Sequence, residues 1–317
     1  MTTSGTSAFT ATRNQIISGA LRKIVAIGSG LPIQGEMLSD ASFALNGMVK
    51  HWEGQGIHVW TNSTARLFIQ PGQRQYALGG TSTDHCATTF VSVLTTASAA
   101  AAAASIVVES ITGIAASDHI GITLDDGTIQ WTTVNGAPAG STVSLSAALT
   151  DSVALGNQVW TYTSDIVQPL KIVQAQRFNA DAETDTPMMM LGRTDYFDLP
   201  NKDQLGTITN FYYDRQLTTG QLYLWSAPQD VVDGHVNFQW HRPIMDFNTA
   251  ADTSDLPQEW IQTLQFNLAV IMAPEFDVPD GKFRQIKSLA DQYLSDMIGF
   301  DREEGSIFVQ PDYSGRR

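Results

Sequence analysis

The sequence predicts an α+β protein: a helical bundle formed by N- and C-terminal helices, a central β-sheet region, and an inserted all-β domain of sandwich or open-barrel type. Three observations predict it. Apolar residues recur at three- and four-residue spacing near both ends of the chain. Between the ends the period shortens to two, punctuated by Gly, Pro and Asp-Gly turns. Within that middle, residues 87–164 contain no Lys or Arg and are dominated by Thr, Ser, Ala and Val, a compositional break that marks a separate body.

The elements follow in order. Thr12 is placed to cap a first helix, whose buried face carries Ile16, Ile17, Ala20, Leu21, Ile24 and Val25. Gly28-Ser29-Gly30 and Pro32 are expected to stop it. A second helix is expected over 36–51, with Met37, Ala41, Ala44, Leu45, Met48, Val49 and Trp52 as its stripe and Gly54 and Gly56 at its end. The short connection makes the two antiparallel neighbours. Arg66-Leu67-Phe68-Ile69 and Gln75-Tyr76-Ala77-Leu78 read as strands around a Pro71-Gly72 turn, closed by Gly79-Gly80.

The basic-free window shows short strands at 106–108, 120–124, 129–134, 143–145 and 159–162. Asp126-Gly127 is a hairpin signal, because glycine accepts the positive φ of a primed turn. The Ala-rich stretch 97–104 suits a short helix or a connector. Strands resume at 170–175, then a polar loop at 179–186, Met188-Met189-Met190-Leu191, a turn or short helix within 193–206, and strands at 208–213, 221–225 and 235–240. Ala227-Pro228 and Asp233-Gly234 punctuate these last. A third helix is expected near Leu256, capped by Asp255 with Pro257 in its first turn and Pro274 after its end. Its core face would be Trp260, Leu264, Leu268 and Ile271. A fourth, over 282–298, buries Phe283, Ile286, Ala290, Tyr293, Leu294 and Met297. The expected organisation is therefore 1–65 helical hairpin, 66–84 β segment, 85–165 inserted β domain, 166–250 central β region, 251–299 closing helices that complete the helical part, and 300–317 extended tail.

Composition narrows function. A chain of 317 residues with 43% hydrophobic and 16% charged content folds. A net charge of -14 repels phosphate and argues against tight non-specific DNA binding, while leaving room for a channel through which DNA slides. Asp246, Asp252 and Asp255 read as solvating a loop, and the sequence does not mark which carboxylates would face such a lumen. The single cysteine, Cys86, rules out an internal disulfide framework or a cysteine zinc cluster and points to a reducing compartment. The start has no basic segment followed by an apolar one, so no secretory signal is expected, and no apolar run approaches a membrane span. Asn62-Ser63-Thr64 is a chance sequon on that reading.

Catalytic patterns fail in turn. Gly28-Ser29-Gly30 follows a helix and lacks the third glycine of a dinucleotide fingerprint. No Walker-type loop or His-Glu-x-x-His pair occurs, and His51, His58, His85, His119, His235 and His241 are scattered. His235 and His241 could approach across a sheet edge, with ordinary hydrogen-bonded roles expected. His85 and Cys86, adjacent on a strand, would point to opposite faces and make a poor dyad. No enzyme activity, cofactor or metal is expected.

Three stretches carry a family likeness. The first is the opening hairpin from Arg13 through Trp52 and Gly56 to Ile57-His58-Val59-Trp60. The second comprises Tyr196, Leu199-Pro200-Asn201-Lys202, Gly206, Tyr212-Tyr213, Leu224-Trp225-Ser226-Ala227-Pro228 and Arg242-Pro243-Ile244. The third runs from Leu256-Pro257-Gln258-Glu259-Trp260 through Leu268-Ala269 to Ala273-Pro274-Glu275-Phe276. In this order they resemble the head-to-tail adaptor proteins of short-tailed bacteriophages, also described as tail tubular protein A or packaged-DNA stabilization protein. The likeness spans about 230 residues outside the insert, and the insert departs from smaller members.

The resemblance implies a self-assembled ring of commonly about twelve copies below the portal protein. Such a ring extends the DNA channel, helps retain packaged double-stranded DNA that passes without sequence-specific binding, and receives the tail nozzle (tubular) protein. It places the protein at the portal vertex of the virion, made in the host cytoplasm. The terminal helices would form the ring wall and the β body would meet the tail. The tail segment, with Ile307, Phe308, Pro311, Tyr313, Arg316 and Arg317, suits wedging into a groove of the portal protein. Two other readings stand beside this one. A virion-associated cell-wall hydrolase would need a carboxylate pair with one raised pKa in a cleft. A carbohydrate-binding tail component would use Trp131, Trp160 and Tyr162 of the insert as stacking platforms, although such aromatics in a small β domain are more often core.

Overall fold

The computed structural model describes residues 5, 9–28, 30–57, 59–79, 84–179, 182–229 and 235–300. Ser29, His58, Gly80, Asp233, Gly234 and the tail from 301 onward lie outside the described residues. The chain is mixed α/β and divides into two compact units, Met1–Thr61 with Ile244–Arg317, and Asn62–Pro243.

The first unit holds α1 (Arg13–Lys23) and α2 (Gly35–Gln55) from the start of the chain, and α4 (Trp260–Met272) and α5 (Asp280–Phe300) from its end. Thr12 caps α1 through a reciprocal box: its hydroxyl accepts the Gln15 N–H, and the Gln15 side chain accepts the Thr12 N–H at 2.9 Å. The helix stops at Lys23, short of the Gly28-Ser29-Gly30 expected to end it. The reason is local: Val25 takes a left-handed φ of 63°, and the Ala26 N–H bonds back to the Leu21 carbonyl, closing the helix end while Ile24 and Ile27 enter the core. α2 runs on past Gly54 to Gly56, whose φ of 100° is the left-handed cap that glycine adopts without strain.

α4 begins later than the sequence suggests. Pro257 sits in a preceding turn, its carbonyl accepting the Trp260 N–H, and Asp255 is not the cap; its carboxylate accepts the Met245 N–H at 3.1 Å. α4 contacts α1, α2 and α5, so Trp260, Leu264 and Leu268 are fully buried. Ile271, expected in that core, is 45% exposed, because its side of α4 is left open beside α2. One hydrophobic core joins Ile17, Leu21, Leu45 and Trp52 to Trp260, Leu264, Leu268 and Ile286. Fully burying each such side chain is worth roughly 1.5–3 kcal/mol before entropy is charged.

The second unit is β. Its strands are β1 (Asn62–Phe68), β2 (Gln75–Leu78), β3 (Cys86–Ala87), β4 (Val91–Leu94), β5 (Ser105–Val107), β6 (His119–Thr123), β7 (Ile129–Thr133), β8 (Thr142–Ser144) and β9 (Gln158–Tyr162), followed by β10 (Lys171–Asn179) and β11 (Thr184–Met190). After the short α3 (Arg193–Phe197) come β12 (Leu205–Gly206), β13 (Asn210–Asp214), β14 (Gly220–Trp225), β15 (Ala227–Pro228) and β16 (His235–His241). Eight strands form one sheet in the order β2-β14-β13-β11-β10-β16-β1-β3, antiparallel except for β11 beside β13. Tyr76 and Leu78 of one edge strand share a core with Cys86 of the other, so the sheet curls into a nearly closed barrel-like form. The polar stretch 179–186 is not a free loop: Thr184-Asp185-Thr186 belong to β11 and pair with β10. That half of β11 is exposed, so no apolar pattern marks it.

The insert packs a four-stranded antiparallel sheet, β4-β9-β6-β7, and the pair β5-β8 around a core that includes Ile106, Val108, Ile120, Ile122, Val143 and Val159. Gly127 turns the β6–β7 hairpin at φ 84°, and the Asp126 carboxylate accepts the Thr128 N–H at 2.8 Å. The Ala-rich stretch is a connector, pinned by an Ala99–Val153 bridge.

Candidate functional site

Two surfaces of this molecule have the chemistry to do something, one on each unit. On the helical unit, α2 turns Met48, Val49 and Trp52 inward and leaves Glu36, Asp40, Phe43, Gly47, Lys50 and His51 outward at helical spacing. Phe43 is 84% exposed. Beside it, a groove of about 430 Å³ opens between α2 and α4, lined by Phe43, Gly47, Met48, His51, Val270 and Ile271. The protruding phenyl ring and the open groove beside it leave apolar surface facing solvent on this unit. The signal was present in the sequence: Phe43 lies off the apolar stripe of its own helix.

Around this unit the chain ends are tied by polar contacts. The Arg13 N–H donates to the Asp252 carbonyl at 2.7 Å, Asn46 exchanges two hydrogen bonds with the Phe247 backbone, and Lys50 donates to the Ile244 carbonyl at 2.6 Å. Lys50 also pairs with Asp246 at 3.2 Å. The Asp252 carboxylate accepts the Asn248 and Thr249 N–H groups, and hydrogen bonds from the Thr249 side chain and backbone hold it below the usual carboxylate range. Asp246 thus pairs with α2 through Lys50, while Asp252 and Asp255 hold backbone groups of the 244–256 loop.

On the β unit, the insert meets the large sheet through an aromatic cluster. Leu67 and Phe68 face opposite sides of β1, and both are buried: Leu67 in the sheet's core, Phe68 under the insert. Phe68 packs against Phe90, Trp131, Trp160 and Tyr162, with centroids 5.1 Å from Trp131 and 5.6 Å from Trp160. The three rings offered by the sequence as sugar platforms are therefore brought together, but around Phe68; Trp160 and Tyr162 are buried there.

A polar chain runs along the same junction. Tyr162 donates to the Asp165 carboxylate at 2.6 Å, and His85 Nδ1 lies 2.6 Å from the Tyr162 oxygen. Tyr162 has one hydrogen and spends it on Asp165, so His85 Nδ1–H donates to the Tyr162 oxygen. His85 stacks on Trp131 at 3.9 Å, and His119 Nε2 stands 3.9 Å from Asp165. Burial pushes His85 down to about 4, against the pull of Asp165 and with a smaller push from His119. Burial also pushes the Cys86 thiol up, with Asp165 adding to it, so this cysteine is a core residue, not a nucleophile.

His235 and His241 do not approach across a sheet edge: they lie at opposite ends of β16, a strand flanked on both sides by β1 and β10. His235 stacks on Phe178 at 4.5 Å, and burial lowers it to about 3, with Arg66 adding to the effect. The portal-docking candidates Ile307, Phe308, Pro311, Tyr313, Arg316 and Arg317 lie outside the described residues. Among the described residues, no group of three His, Cys, Asp or Glu side chains could hold a metal ion, and no helix is long and apolar enough to cross a membrane. No protein-family model and no curated protein matches the chain.

Proposed function

We propose that this chain is a structural head-to-tail connector of a short-tailed phage, a ring of commonly about twelve copies seated below the portal protein. The terminal helices act as a bundle that forms the ring wall. The β unit, hung between them in sequence, meets the tail nozzle, and packaged DNA passes through the channel without base-specific contacts. The tail from 300 onward reaches the portal protein. No catalytic step belongs to this role.

One observation carries the reading: helices from opposite ends of the chain share a single core, while everything between them folds as a unit of its own. A connector needs that division, since one part must repeat around the channel while another engages a different protein. The acidic charge of -14 suits a lumen that repels the DNA it conducts. The open Phe43 groove supplies apolar surface for assembly.

The test is direct. The full chain is mixed with a purified portal ring of a short-tailed phage and followed by mass and electron microscopy. An added ring of density below the portal is expected, and particles made without the polypeptide should lose packaged DNA. Portal rings of unchanged mass, or intact DNA-filled particles lacking this polypeptide at the exit vertex, overturn the reading. Deleting 305–317 should abolish attachment with the fold intact.

A further inference from the structure

We infer that α5 of one copy of this chain docks, in parallel, on the outward face of α2 of the next copy. The argument starts from two exposed stripes. On α2 they are Glu36, Asp40, Phe43, Gly47 and His51; on α5, Arg284, Lys287, Asp291, Ser295 and Ile298. Each set recurs at three- and four-residue spacing, so each lies along one side of its helix. Among the described residues neither stripe is spent inside the molecule: α5 buries Ile286 and Ala290 on its other side, and Glu36, Asp40, Arg284 and Lys287 form no ion pair.

The charges are complementary in one direction only. The first half of the α2 stripe is acidic and the first half of the α5 stripe is basic. In a parallel register, Glu36 meets Arg284, Asp40 meets Lys287, and Gly47 meets Ser295, two small residues that let the helices approach. Ile298 then reaches the groove beside Gly47 and His51. An antiparallel docking would set Asp291 against Asp40, and like charges in an interface are strongly disfavoured.

Symmetry selects the same direction. α5 is antiparallel to α4, since Thr263 reaches Tyr293 and Asn267 reaches Ala290. α2 is also antiparallel to α4: Trp52 meets Trp260, while Phe43 and Ala44 lie across from Val270 and Ile271. α2 and α5 therefore run the same way within one copy. With the ring axis taken along these helices, rotation keeps their direction, so α5 of one copy docked on α2 of the next runs parallel to it. Two different patches meet, which is a heterologous contact that continues from copy to copy and closes only as a ring. This deepens the connector reading and rests on it for closure of the ring.

The experiment uses the full chain carrying Gly47→Cys and Ser295→Cys together; the native Cys86 is buried. Nothing lies within 4 Å of the position a Gly47 side chain would take, so the change is tolerated. Mild oxidation should give a ladder of disulfide-linked species beyond the dimer, whereas either single variant stops at dimer. Monomer alone, or dimer alone, from the double variant overturns the interface. In parallel, Glu36→Lys/Asp40→Lys and Arg284→Glu/Lys287→Glu should each weaken self-association about tenfold or more. Mixing the two variants should restore it; failure to restore it overturns the pairing. Loss of this interface leaves the connector reading standing on the portal-ring experiment, which does not use this contact.

Discussion

Trp52, near the end of α2, packs its indole against that of Trp260, the first residue of α4, with ring centroids 5.7 Å apart and planes tilted by 55°. This contact joins two helices separated by the entire β unit in sequence. Trp260 is completely buried, so its removal leaves a cavity that the surrounding helices cannot collapse into. Trp260→Ala should cost about 3–5 kcal/mol. The check is urea unfolding followed by proteolysis: cleavage near both chain ends should appear at one common midpoint. If only the C-terminal helices become sensitive, the two ends do not unfold together.

Phe68 plays the corresponding part in the β unit. It is buried on the outward face of its strand only because the insert covers it. Phe68→Ala should destabilise the β unit by about 3–5 kcal/mol. It should also raise hydrogen exchange in the 84–91 and 162–170 crossings before the Ile120–Val159 core responds. Equal loss of protection throughout the insert would mean that the ring supports the insert's own fold, not its attachment.

The α1 cap offers a smaller, cleaner effect. Thr12→Ala removes the acceptor for the Gln15 N–H and should cost about 1 kcal/mol. Thr12→Asn keeps an acceptor and should recover most of it. A thermal midpoint unaffected by Thr12→Ala would show that the Arg13–Asp252 backbone bond alone fixes that end.

How much of this was legible depends on where each residue's partner lies. The Thr12 cap and most of each helix stripe are local, and the sequence shows them directly; Val25 and Ile271, read as core, are exposed. The alternating strand Gly220–Trp225 is equally plain, its core face alternating with its outer face. The end of α1 was not legible, since Val25 adopts a left-handed turn that glycine would normally signal. The polar half of β11 was hidden because both its faces are exposed, leaving propensity nothing to read. At the junction, the run Leu67-Phe68-Ile69 breaks alternation, which is the mark of a strand buried on both faces. What covers the second face, and the chain from His85 through Tyr162 to Asp165, depends on residues far apart in sequence.

The same junction makes acid sensitivity predictable. Burial holds His85 at about 4 and His235 at about 3, against an ordinary value of 6.5. Above pH 6.5 both are neutral, folded or unfolded, and their contribution to stability is complete. As pH falls below 6.5 the unfolded chain takes up protons that the folded chain refuses, so stability falls. The loss continues to about pH 4 for His85 and about pH 3 for His235, then stops for these groups, because both states are protonated. Each histidine contributes at most about 1.4 kcal/mol per pH unit across its window. Asp125 and Asp252, held below their usual range by hydrogen bonds, add loss in the same direction at lower pH. The urea midpoint of the full chain should therefore drop steadily between pH 6.5 and 4. His235→Phe keeps the stack on Phe178 and should flatten that slope, as should His85→Gln, which retains a donor for Tyr162. A midpoint that stays level from pH 7 to 4.5 would show that neither imidazole is shielded from water in the folded chain.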